Sequence, residues 1–114
     1  MEQPGAIFVA AFVRSVAVLA LEADAQVAWL GEKGFPLVDE LALEFDDGFR
    51  LVPTFVERGW LNAAVLPALT EIDQNLSSMS GQHNAGLWHV EALAGRTEWD
   101  QVRASARTAL ALLA

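Results

Sequence analysis

The sequence predicts an all-α fold, a bundle of about five helices in a single domain over residues 1–114. Three observations carry this. Apolar residues recur at spacings of three and four along most of the chain, as one face of a 3.6-residue helix requires. Glycines and prolines divide the chain into segments of helical length. Apolar residues make up 54% of the chain, and with glycine added the share exceeds the roughly 45–50% of an average domain, so a core forms without staples.

The first segment runs from Pro4 to Leu30 as one long helix. Pro4 suits a first turn, and Val9, Phe12, Val16, Leu19, Ala23, Val27 and Leu30 share a broad face. Arg14, Ser15, Glu22 and Gln26 share the opposite face, and Gly31 and Gly34 end the helix. The second segment, Pro36 to Arg58, admits two templates. A helix places Val38, Leu41, Phe45, Phe49, Val52 and Val56 on one face and the acids on the other. A β-hairpin at residues 41–52, turning at Asp47-Gly48, would make the fold α+β. The helix explains more positions and is preferred, although Gly48 weakens it and Pro53 should kink or split it.

Gly59 stops the second segment. The third runs from Asn62 to Ser80, with Asn62 as cap or a start delayed to Pro67, and buries Leu69, Ile72, Leu76 and Met79. A short fourth helix starts at Asn84 as cap and ends at Gly95. The last starts at Thr97, with an acid three residues later at Asp100. Its inward stripe is Trp99, Val102, Ala106, Ala109, Leu110 and Leu113.

Charge and composition exclude several functions. The net charge of −8 and a pI near 4.5 repel nucleic acid and anionic membranes. The absence of cysteine excludes disulfides, iron–sulfur clusters and thiol catalysis. The apolar stretch from Ala6 to Leu21 contains Arg14 and falls short of the roughly 20 residues of a spanning helix. It also lacks a basic leader, so a cytoplasmic protein is expected. Twenty alanines and six arginines to one lysine match the coding bias of a GC-rich bacterium.

No catalytic set, metal site or cofactor motif emerges. His83 and His89 lie six apart, the wrong spacing for a shared ion on one helix. Asp73 borders the third helix's apolar stripe and is expected to pair with Arg103 or Arg107, or to cap the Asn84 helix. Arg96, Arg103 and Arg107 form a short basic stripe, expected to pair with the acidic second segment.

Several apolar residues stand on polar faces: Leu43 and Leu51 among the acids, and Trp88 opposite Leu87 and Val90. An excess of such residues indicates an exposed patch, so Leu43, Leu51 and Trp88 are candidate interface residues. The leading expectation is a non-catalytic, self-associating interaction domain, a homodimer. A second is an immunity- or antitoxin-like inhibitor that docks an acidic face of Glu40, Glu44 and Asp47 on a basic protein toxin. A third is a small-ligand domain with a pocket of His83, Trp88, Trp99 and Asp73.

Overall fold

The computed structural model of the chain describes residues 4–34 and 37–113. In order, these residues form α1 (Pro4–Leu19), α2 (Ala23–Glu32), α3 (Asp39–Phe49) and α4 (Val52–Glu57). A 3-10 turn (Ala63–Val65) then leads into α5 (Leu66–Ser78). A second 3-10 segment (Gln82–Trp88) is followed by α6 (Val90–Gly95) and α7 (Thr97–Leu113). The all-α class holds, and no strand occurs among the described residues. The count of about five becomes seven α-helices and two 3-10 segments among the described residues, because two of the expected helices divide and two others are partly 3-10. Residues 41–52 are helical apart from the junction at Arg50-Leu51, so the hairpin alternative is also corrected. Pro36, where the second segment was expected to start, lies outside the described residues.

The expected helix Pro4–Leu30 breaks at Leu21-Glu22, where Glu22 takes an extended conformation (φ −61°, ψ 156°). Neither glycine nor proline marks the break. Side chains distant in sequence hold it, by taking the carbonyls at the end of α1. Gln26 Nε2 donates to the Val18 and Leu19 carbonyls at 3.1 and 3.2 Å. Arg107 Nε donates to Ala20 O and Arg103 Nε to Leu21 O, each at 3.0 Å. These are the carbonyls that a helix end leaves without partners. The break resets the helical phase, so Gln26, expected outside, is buried and Val27, expected inside, is exposed; Ser15, also expected outside, is buried on the side of α1 that α2 and α3 adjoin. Gly31 lies within α2, and the positive φ falls at Gly34.

The second expected helix splits at Arg50-Leu51, ahead of Pro53, which occupies the first turn of α4 where its missing N–H costs nothing. Gly48 remains inside α3 for a packing reason. A Cβ built there would overlap the Phe12 ring of α1, so its absence allows close approach of the two helices. Phe12 then meets Phe45 at 5.5 Å and Phe55 at 6.4 Å between ring centroids. Asn62 caps the first 3-10 turn, accepting from Ala64 N at 2.9 Å, and α5 starts one residue before Pro67. Asn84 is not an N-cap: its Nδ2 donates to the Ser78 and Ser80 carbonyls at 3.1 and 3.0 Å, closing the end of α5.

α1 packs against α3 and α7, and α7 against α5. One contiguous core runs through Leu19, Leu30, Phe45, Leu69, Ile72, Leu93 and Trp99. The inward face of α7 includes Arg103 and Ser105 as well as the expected apolar stripe, and Leu110 and Leu113 are only partly buried. Among the described residues no helix is long and apolar enough to cross a membrane.

Candidate functional site

The polar residues that sequence reading placed together are apart, and the apolar ones fall on two separate grooves flanking α3. None of the three arginines pairs with α3. Arg103 is buried and donates to Leu21 O, Leu93 O, Gln26 Oε1 (2.9 Å) and Asp100 Oδ1 (3.0 Å). Arg107 pairs with Glu22 at 2.7 Å and Arg96 with Glu98 at 3.3 Å, both in solvent. Arg103 has a structural role because α7 carries it 40° around the wheel from Trp99, well inside the buried arc. That spacing of four from a core tryptophan was the available sequence signal.

Asp73 consequently has no arginine partner among the described residues, and it caps no helix. It is half-buried on the wall of a trough between α3, the end of α5 and the 82–88 segment. Two cavities, about 530 and about 180 Å³, merge there through Ala42, Leu43, Ser80 and Trp88. Leu43 is 53% exposed on one wall. Trp88 faces it and is held firmly: its Nε1 donates to Met79 O at 2.8 Å. The Trp88 ring meets Trp99 edge-on at 5.3 Å and 84°. Trp99 is fully buried behind Trp88 and donates to Leu87 O at 2.7 Å, so it braces the trough without lining it. His83 is exposed beside Gly81 and Asn84 and lines no part of the trough, whereas His89 stands at its end. The pocket expected from His83, Trp88, Trp99 and Asp73 is thus represented by Trp88 and Asp73. Asp39 and Asp46 complete the trough, seven apart along one edge of α3.

The second groove, about 310 Å³, lies on the other side of α3 against α1. Phe8, Ala11 and Leu51 line it, and Glu44 and Asp47 stand at its rim. Leu43 and Leu51 therefore belong to different surfaces, because α3 turns between them. The acids Glu40, Glu44 and Asp47 share one edge of α3 in different surroundings. Glu44 meets Lys33 Nζ at 3.6 Å, Asp47 borders the Phe8 groove, and Glu40 is half-buried. Among the described residues no group of three His, Asp or Glu side chains gathers to hold a metal.

No protein-family model, curated protein or solved structure matches this chain.

Proposed function

We propose that this chain is a non-catalytic interaction domain that self-associates through the outer face of α1 and the adjoining groove against α3. The observation that carries the reading is the character of α1. Its sixteen residues contain one charged side chain, Arg14, and no acid. One of its two polar residues, Ser15, is turned inward and bonds its own helix at Phe12 O. Ile7 and Phe8 stand 61% and 54% exposed, continuous with the Leu51 groove. A helix apolar around its circumference is normally covered on all sides.

Charge supports a second copy as the cover. Two chains of net charge −8 approach with least repulsion along a face without acids. α1 runs antiparallel to α3, since Phe8 lies by Leu51 and Ser15 by Leu41. A two-fold crossing of α1 on its copy near Ala11 brings Arg14 toward Asp47 of the partner subunit, and the symmetry repeats the pair. Apolar contacts from Ile7, Phe8 and Leu51 form the centre, with the two ion pairs at the rim.

Light scattering behind size-exclusion chromatography, over a range of concentrations, tests this. The expected result is a dimer that Phe8→Glu or Leu51→Glu converts to a folded monomer. Arg14→Glu and Asp47→Arg should each weaken it, and the double exchange should restore it. A monomeric wild-type chain at every concentration removes the reading.

A further inference from the structure

We infer that the trough between α3 and the 82–88 segment docks a basic amphipathic helix from a different protein. Its apolar lining is Ala42, Leu43 and Trp88. Its walls carry Asp39, Asp46 and Asp73, and no lysine or arginine lines it. Arg50 pairs with Asp46 at 2.9 Å and is itself largely exposed. The Trp88 N–H is already committed to Met79 O. What the ring offers an occupant is its π face, which suits aliphatic and cationic groups. Trp99 and the Met79 bond fix that ring in place, as an anchor residue requires.

The shape selects the occupant. From Asp39 to Asp46 the wall follows two turns of α3, about 10 Å, and stays open along its length. A small molecule in a site of its own is enclosed over most of its surface, whereas an open channel of two turns takes a helix by its i, i+3, i+4 and i+7 side chains. Charge selects further. A second copy would add −8 to a wall of three carboxylates, while lysines flanking an apolar stripe would complement it. This surface lies across α3 from the groove proposed for self-association, so the two stand independently.

The test uses a fluorescein-labelled five-turn peptide with leucine on one face and lysine on the other, followed by anisotropy. Two controls accompany it: the same pattern with glutamate for lysine, and the same charge with serine for leucine. The Leu/Lys peptide should bind saturably and both controls weakly. Leu43→Lys should weaken binding by about tenfold. Asp39→Asn with Asp73→Asn should weaken it and flatten its salt dependence. Leu51→Lys should leave the affinity unchanged, and Leu43→Lys should leave the molar mass in solution unchanged, which separates this surface from the α1 face. Absence of saturable binding overturns the inference. So does equal binding of the Ser/Lys peptide, or equal loss in Leu43→Lys and Leu51→Lys.

Discussion

Arg103 shows how much one side chain holds together. Its guanidinium serves the α1 end at Leu21 O, α2 at Gln26, α6 at Leu93 O and its own helix at Asp100. Arg103→Met leaves the buried Leu93 carbonyl and Gln26 amide oxygen without this donor, each costing about 1–3 kcal/mol, and removes the part-buried bond to Leu21 O. A loss of about 3–5 kcal/mol is expected on chemical denaturation, and Arg103→Lys should recover only part of it, because an ammonium cannot reproduce the planar fork. Arg107→Met should cost less, about 1 kcal/mol, for the part-buried bond to Ala20 O, since its ion pair with Glu22 is open to solvent. Two glycines should respond with opposite signs. Gly48→Ala drives a methyl into Phe12 and should destabilise by about 1–3 kcal/mol. Gly31→Ala, with open space around it, should stabilise by about 0.5–1 kcal/mol. Thermal or denaturant melts of the two variants check both. At this scale the sequence conceals what matters most. An arginine and a glutamine read as surface residues, and the partners that bury them lie 77 to 82 positions away; the spacing of Arg103 from Trp99 hints at its burial but not at what it holds.

At the scale of elements, helical identity was legible throughout, because periodicity reports the burial that each helix shares with its neighbours. Boundaries were legible where local chemistry sets them: the stop at Gly59 with its positive φ, the split ahead of Pro53, and the Asn62 cap. They were hidden where tertiary partners set them. The α1–α2 break depends on α7, and Asn84 closes the preceding helix instead of opening the next. Asn84→Ala should therefore release the 82–88 segment from α5, at about 1 kcal/mol for the lost bonds. A red shift of tryptophan emission with little change in helical circular dichroism is the expected result, since Trp88 lies on that segment. The candidate surfaces were legible in part. Leu43, Leu51 and Trp88 stand out on any wheel, but the division of Leu43 from Leu51 between two grooves requires knowing which helix packs on each side of α3.

Considered whole, the molecule divides its apolar surplus between a core and two exposed grooves that differ in electrostatic surroundings. The α1 face has no acid of its own and takes the charge of its rim from α3. The trough carries three carboxylates of its own, Asp39, Asp46 and Asp73. Salt should separate the two. Binding at the trough should weaken steeply as ionic strength rises, because its contacts are rim charges in solvent. The α1 self-contact should change little, because its centre is apolar and screening relieves the repulsion between two acidic chains as it weakens the ion pairs. Molar mass and peptide affinity, measured along one salt series, check this together. A parallel decline of both would show that charge alone holds each surface.

The closure of α1 by α7 also bears on synthesis. The residues that complete the end of α1 lie 82 and 87 positions beyond the carbonyls they serve. A chain emerging from the ribosome makes α1 first and α7 last. During that interval the C-terminal carbonyls of an almost wholly apolar helix have only water and Gln26 to turn to. The last helix is thus the latch of the fold, and a chain stalled before Arg103 would present its greasiest segment to the cell unfastened.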